Sequence, residues 1–335
     1  MRIRPWLPDL CRAPPPVSAM NEPSLTVLIC THDRVELLGR TLASLNAAAR
    51  PPGWRVEILV IANACADATH AFLEDYARAP AGRLPMRWRA EATPGKSHAL
   101  NLAMSLIESD LVAFVDDDHR VDSAYLQAVC QAADTYPEAD LFCGRILPDW
   151  NGTEPAWVHD RGRYRIYPLP VPRFDLGDEP RALTSDIAIP GGGNLFLRGA
   201  WLKRVGPFAV EFGPVGHNLG GAEDIEWVLR AFALGARLRY APKVIQHHYV
   251  DTERLRLRYL LAKAFERTAS TVRVHHGDAG GVPLYMYRKL FGYFLSALTA
   301  WSHARRRFFL VRLAASLGEI KGYRQARADR MAGGT

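Results

Sequence analysis

The sequence predicts an α/β protein: an open, mostly parallel sheet flanked by helices, followed by a helical C-terminal extension. Three observations predict it. Short apolar runs alternate with stretches of helical character, the rhythm of parallel β–α–β units. One of those runs, Leu111 to Val115, leads directly into Asp116-Asp117-Asp118. Unpaired charge is too costly to bury, so these carboxylates mark the carboxyl edge of a buried strand, where open α/β sheets bind ligands. From Asp251 to its end the chain reads as helical and strongly basic.

The elements follow in order. Residues 1–23 mix Arg, Trp and Pro without the apolar centre of a signal peptide, and are expected to form a disordered leader. Met20 is a candidate start, because the first strand, Leu25–Cys30, follows at once. Asp33 is placed to cap a helix over Val35–Asn46. Val56–Ala62 is a second apolar strand, a helix covers Ala66–Arg78, and Met86–Ala90 is a shorter strand. Pro94-Gly95 turns the chain into a helix over Lys96–Glu108. After the strand Leu111–Val115 come a helix near Ser123–Tyr136 and a strand near Leu141–Ile146. The pattern loosens from Pro148 to Pro190, then returns with a strand at Asn194–Leu197, a helix over Ala222–Leu234 and a strand at Arg237–Tyr240. Helices are expected over Thr252–Val274 and Leu284–Leu317, with Gly318 and Gly322 marking the end of the second.

At 335 residues, 48% apolar and 23% charged, the chain has the composition of a globular protein with a substantial core. The expected division is a leader (1–23), an α/β body (24–250) and a basic helical extension (251–335). Residues 251–335 carry 16 Lys and Arg against 6 Asp and Glu, leaving a net −3 on the first 250. A near-neutral body with a tail of +10 suggests a partner with an anionic surface, membrane or nucleic acid. No run reaches the roughly 18–20 apolar residues of a spanning helix. The longest candidate, Leu290 to Trp301, is bounded by Arg288-Lys289 and Arg305-Arg306-Arg307. Five cysteines (Cys11, Cys30, Cys65, Cys130, Cys143) with no C-x-x-C pair point to reduced, mostly buried thiols and a cytoplasmic setting.

The acidic run suits a hard divalent cation. Alternate residues of an extended chain point the same way, so Asp116 and Asp118 can address one ligand while Asp117 faces the other side. Mg²⁺ and Mn²⁺ favour such oxygens. Two nucleotide signatures are absent. Gly95-Lys96-Ser97 ends like a phosphate-binding loop, but that loop needs glycine where Ala90 stands, and no G-x-G-x-x-G follows the first strand.

The motifs taken together resemble the family 2 glycosyltransferases, inverting nucleotide-sugar enzymes of the GT-A fold, from about Leu25 to Arg267. SLTVLICTHDR resembles the family's first strand and nucleotide-binding turn. VEILVIANACADAT stands where V-V-D-N-x-S-x-D-x-T is usual, and TPGKSHALNLAM resembles the G-K-x-x-A-x-N segment. VAFVDDDHRVD carries the D-x-D motif, and PGGGNLFLRGAWLKRVGPF resembles the G-x-x-N-x-x-x-R-x-x-x-x-x-x-G-x-F segment. GAEDIEWVLRAFALG resembles the E-D helix and VIQHHYVDTERL the late histidine segment.

The resemblance implies that 24–250 is a GT-A catalytic domain. It implies Asp224 as the base, with Glu223 as an orienting or acceptor-binding partner. It implies Asp118 and His248 as ligands of Mn²⁺ or Mg²⁺, with Asp116 touching the ribose or the metal. His248 is preferred to His247, because the family spacing falls on His248-Tyr249-Val250 and Glu253-Arg254-Leu255. Thr31, Asp33, Arg34, Asn63, Asp67, Lys96, Gly192, Gly193 and Asn194 would line the nucleotide-sugar site. The chain departs from the pattern at Ala62 and at Cys65-Ala66, where Asp and Gly-Ser are usual, so the nucleobase stays open. Trp227 is a sugar platform or a core residue.

The implied reaction is metal-dependent transfer, with inversion, from a nucleotide-sugar donor, UDP-linked by default, to a carbohydrate or lipid-linked acceptor. The basic tail, with Arg254, Arg258 and Lys263 on one stripe and Tyr285, Phe291, Phe294, Trp301, Phe308 and Phe309 as interfacial residues, would hold the enzyme peripherally at the inner face of the cell membrane. A sugar-phosphate nucleotidyltransferase would need a Gly-rich turn with Arg and Lys where ICTHDR stands, and a nucleic-acid binder would need base-stacking motifs. Neither is present, and no nucleic-acid partner is expected.

Overall fold

A computed structural model describes residues 22–78, 82–167, 169, 171–184, 186, 190–210, 223–275 and 281–333. All but two residues of the expected leader lie outside them. The described residues form two compact units, one within 1–145 and 176–246, the other within 146–175 and 247–335.

The first unit is built on β1 (Ser24–Thr31), β2 (Arg55–Asn63), β3 (Met86–Glu91) and β4 (Leu111–Phe114). These run parallel in the order β3-β2-β1-β4. Leu25, Val27 and Ile29 of β1, with Ile58 and Val60 of β2, are fully buried, which is why these strands read as unbroken apolar runs. Parallel strands need crossovers, supplied here by α1 (Val35–Ala47), α2 (Thr69–Ala77) and α3 (Lys96–Leu106). Beyond β4 the sheet continues through β8 (Leu195–Arg198), which is antiparallel to β4, and β6 (Leu141–Asp149), which is antiparallel to β8. The long β9 (Leu238–Tyr249) and the short β5 (His119–Val121) complete the row, and β7 (Arg181–Leu183) pairs with β9. The expected strand at Arg237–Tyr240 thus runs on as far as Tyr249, and β5 and β7 were not legible. The helices α4 (Tyr125–Thr135), α5 (Ala200–Val205) and α6 (Glu223–Ala233) belong to this unit.

In the second unit, α7 (Leu257–His275) packs on α9 (His303–Gly333), and α8 (Leu284–Leu298) joins them through a core of Val272, Met286, Ile320 and Tyr323. The helix expected over Leu284–Leu317 is therefore two helices. The break is local: the Thr299 hydroxyl bonds the Leu295 carbonyl at 2.9 Å, and the Ser302 hydroxyl accepts the Arg305 amide at 3.2 Å. Gly318 and Gly322 do not end α9. They lie inside it, where the backbone of α7 passes close.

Cys30, Cys65, Cys130 and Cys143 are free, and burial pushes the thiols of Cys30 and Cys130 up to about 12, so they are inert at neutral pH. Among the described residues, no helix is long and apolar enough to cross a membrane.

Candidate active site

Because β1, β2 and β4 are parallel, their carboxyl ends share one edge, and the chain beyond β4 places Asp116, Asp117 and Asp118 there. The triplet is a turn rather than an extended strand end, closed by the His119 amide on the Asp116 carbonyl at 3.1 Å. Asp117 turns inward and is buried. It accepts from Thr31 Oγ1 at 2.7 Å and from Arg34 Nη1 at 3.1 Å, while the Thr41 hydroxyl binds its carbonyl at 2.9 Å. Arg34 Nη1 also reaches Asp118 Oδ2 at 3.1 Å. The structure therefore engages Thr31 and Arg34, expected at the nucleotide, in bracing the acidic turn.

Burial, and then the neighbouring Asp118, push the Asp117 carboxyl up to about 6 against the pull of Arg34. The sign follows: between pH ~4 and ~6 the unfolded chain holds fewer protons at this position than the folded one, so stability should fall as pH rises through that window. Asp117→Asn should flatten the slope, as read from denaturant midpoints across pH. An unchanged slope would show that the group titrates normally.

Asp116 points to the other side. Lys96 Nζ, at the start of α3, meets Asp116 Oδ1 at 3.0 Å. Burial alone would lower the Lys96 pKa, but the carboxylates of Asp116, Glu223 and Asp224 carry it above the usual lysine range. Glu223 and Asp224 begin α6. Asp224 Oδ2 accepts the Gly192 amide, and Oδ1 accepts the Ile225 amide at 2.7 Å. Burial, together with Asp224, raises the Glu223 carboxyl despite Lys96. Its Oε2 is buried and has no hydrogen-bond partner among the described residues, an arrangement that ordinarily costs about 1–3 kcal/mol. Gly193 packs so closely that a Cβ there would lie 2.6 Å from Asp116 Oδ2 and 2.9 Å from His119 Cε1. Lys96, Asp116, Gly192, Gly193, Glu223 and Asp224, widely spaced in sequence, thus converge.

A buried relay stands behind the turn. Asn194 Nδ2 donates to the carbonyls of Arg145 (2.7 Å) and Val244 (3.2 Å), so its Oδ1 faces Gln246 Nε2 at 2.9 Å. Gln246 Nε2 also donates to the Phe114 carbonyl at 3.0 Å, which turns its Oε1 toward His119 Nδ1 at 2.5 Å. A carbonyl oxygen accepts only from a protonated nitrogen, so Nδ1 carries hydrogen and Nε2 is the edge the ring turns toward the acidic turn. That edge lies 3.9 Å from Asp116 Oδ2 and 3.8 Å from Asp118 Oδ1. The Asp118 carboxylate and the His119 imidazole, the latter held by an outer partner, are donors that fit a divalent cation, and the nitrogen suits Mn²⁺ better than Mg²⁺. The sequence reading missed His119 and Gln246. The signal for Gln246 was a polar residue between Ile245 and His247 in an apolar strand. Asn194, buried, supports the turn from behind.

One local expectation is corrected, and the surroundings of other expected residues are now defined. Asp33 does not cap α1: its Oδ1 accepts the amides of Ala66 and Asp67 at 2.6 and 3.1 Å, while Asp67 Oδ2 accepts the Val35 amide at 3.1 Å. The two loops clasp each other, and α2 starts at Thr69 because Ala66 and Asp67 are committed to Asp33. Asn63 is a brace, with Nδ2 on the Thr93 carbonyl at 2.7 Å and Oδ1 on the Gly95 amide at 2.8 Å. Trp227 is a core residue, fully buried, stacked on Phe208 at 5.3 Å and bonded to the Gly206 carbonyl at 2.9 Å. His248 belongs to the second unit, near the end of β9, with Nδ1 2.5 Å from the Tyr249 carbonyl oxygen.

A mixed α/β sheet whose parallel half carries an acidic turn at its carboxyl edge, met there by a lysine and the acidic start of a late helix, is the arrangement of a GT-A-type fold with its ligand site at that edge. Glycosyl transferase family 2 matches residues 26–206, more than half of the chain, and the chain belongs to that family. Succinoglycan biosynthesis protein ExoM of Rhizobium meliloti (strain 1021) is 24% identical over 301 residues, 88% of this chain and 91% of that one. Among solved structures, S. aureus TarS 1–349 in complex with UDP is similar at a TM-score of 0.54 and 19% identity, covering 92% of both chains. The mannosyltransferase PcManGT of Pyrobaculum calidifontis, in complex with GDP-Man and Mn²⁺, gives 0.50 and 16%, covering 94% of this chain and 77% of that one.

Proposed function

We propose that this glycosyltransferase moves a sugar from a nucleoside-diphosphate donor, UDP-linked, to a carbohydrate or lipid-linked acceptor, with inversion and with the aid of a divalent cation. The observation that carries the reading is the Asp224 carboxylate, pinned by two backbone amides close to Lys96 and the acidic turn. Relatives support it: TarS is known with UDP and with UDP-GlcNAc, PcManGT with GDP-Man and Mn²⁺, and ExoM serves succinoglycan biosynthesis.

In this reading Asp224 accepts the proton of the acceptor hydroxyl as that oxygen attacks the anomeric carbon. The bond from that carbon to the diphosphate oxygen breaks on the opposite face, and its electron pair leaves with the nucleoside diphosphate. Lys96 holds Asp116 in place and keeps positive charge in a site crowded with carboxylates. Glu223, with its bare carboxylate oxygen, orients the acceptor. Asp118 and His119 Nε2 would hold Mn²⁺ or Mg²⁺, with Asp116 touching the ribose or the metal, and the cation's charge would offset that developing on the leaving diphosphate.

Excess chelator should abolish turnover and added Mn²⁺ restore it. Asp118→Asn should weaken Mn²⁺ binding at least ten-fold, followed by the paramagnetic signal of free Mn²⁺, with the fold checked by circular dichroism. Full activity in chelator, or unchanged Mn²⁺ affinity in the variant, would remove the cation from the reading.

A further inference from the structure

Helix α8 is apolar on two sides. Met286 and Leu290 face the core shared with Val272, Ile320 and Tyr323. On the opposite side, at helical spacing, Leu284, Tyr287, Phe291, Phe294, Leu295 and Leu298 form a stripe. Leu284 is 85% exposed, Phe291 65% and Leu298 66%, and Trp301, just beyond the helix, is 79% exposed. A surface helix ordinarily turns charged residues outward, and contiguous aromatic and aliphatic exposure marks an interaction surface.

The charge around the stripe indicates the partner. Residues 279–318 contain six Lys and Arg and no Asp or Glu; Lys289 and Arg307 are paired with Glu319 and Asp160, at 2.8 and 3.0 Å, and leave the exposed cations to face a partner. Arg288 flanks the stripe and Arg306 follows Trp301, and both are exposed. The structure also revises the interfacial set read from the sequence. Phe308 and Phe309 pack with Tyr164, at 5.7 and 5.9 Å between rings. Arg254 is 3.7 Å from Asp251, and Arg258 is 3.1 Å from Glu253.

We propose that the outer face of α8, with Trp301, Arg288 and Arg306, lies on an anionic lipid bilayer. Aromatics and leucines enter the headgroup boundary, and the arginines meet lipid phosphates, the arrangement of an interfacial helix rather than a spanning one. A second copy of the chain fits less well, because a self-complementary contact would bring the cations of both copies together without a carboxylate between them. Attachment of this kind keeps the enzyme at a surface where lipid-linked acceptors lie.

The test is flotation of the full-length protein with phosphatidylcholine vesicles, with and without a quarter of phosphatidylglycerol. Binding should require the anionic lipid, and each of Arg288→Gln and Arg306→Gln should weaken it about five-fold, the equivalent of roughly 1 kcal/mol per juxtamembrane cation. The paired change Phe291→Ser with Leu298→Ser should remove the part of the binding that survives high salt, with thermal melting unchanged because both side chains are exposed. No flotation with anionic vesicles at low salt would overturn the proposal. So would binding that neither pair of variants reduces, or sedimentation showing that the apolar stripe joins two copies instead.

Discussion

Asp224→Asn should lower turnover by about 10²–10⁴, the range over which a positioned general base contributes, while the protein still binds nucleotide. The substitution keeps shape and removes the lone pair that takes the acceptor proton. It also disturbs the local bonding in a foreseeable way. Both carboxylate oxygens accept backbone amides, from Gly192 and Ile225, and an amide side chain can serve only one of them as acceptor. The other N–H then faces an NH₂ group, at a cost of about 1–3 kcal/mol to the local fold. Release of nucleoside diphosphate under saturating donor measures the first effect, and calorimetric binding of the free nucleotide separates it from the second. Glu223→Gln should cost less, because that residue orients rather than accepts the proton. A Glu223→Gln variant slower than Asp224→Asn would exchange the two roles.

The second large effect is on stability. Gly318→Ala should destabilise the helical unit by about 1–3 kcal/mol, the usual cost of inserting a methyl group into a packed contact. A Cβ at Gly318 would stand 2.1 Å from the Phe265 carbonyl oxygen and 2.3 Å from Thr268 Oγ1, so α7 and α9 would have to separate. Gly322 approaches the Ala269 carbonyl in the same way. Gly292 is the control. It lies in α8 with no atom within 4 Å of an added Cβ, so Gly292→Ala should stabilise by roughly 0.5–1 kcal/mol through helix propensity alone. Opposite signs in the denaturant midpoints of the two variants establish that close approach, not glycine content, sets the α7–α9 contact. Equal signs would refute it.

These glycines show where the sequence misleads. Read along the chain, Gly318 and Gly322 are stop signals. Read around a helix, four residues apart, they form a smooth stripe for a neighbour, and which reading applies depends on a contact with α7 some fifty residues earlier. The strands β1, β2 and β4 were legible because they are buried and declare themselves as apolar runs, whereas β3, half-exposed at the edge of the sheet, was legible only from its place between two helices. The acidic turn was legible because charge at the end of such a run has no place in a core. Asp117 faces in and Asp116 out as expected, but in a turn in which Arg34 meets both Asp117 and Asp118, a contact that the spacing did not show. The braces were not. Asn63, Asn194 and Asp33 carry the residue types of ligand-binding groups, and only the positions of distant backbone amides and carbonyls show that they also hold loops together. His119 was hidden by the carboxylates before it, and Gln246 by the two histidines after it. Their pairing joins residues 127 positions apart in sequence.

The most direct test follows nucleoside-diphosphate release by the purified protein across a panel of UDP-, GDP- and other nucleotide sugars in the presence of Mn²⁺. A nucleotide-sugar transferase working through this site should release UDP from at least one UDP-sugar, and lose that release in Asp224→Asn. Absence of release from every donor, or release untouched by Asp224→Asn, would contradict it.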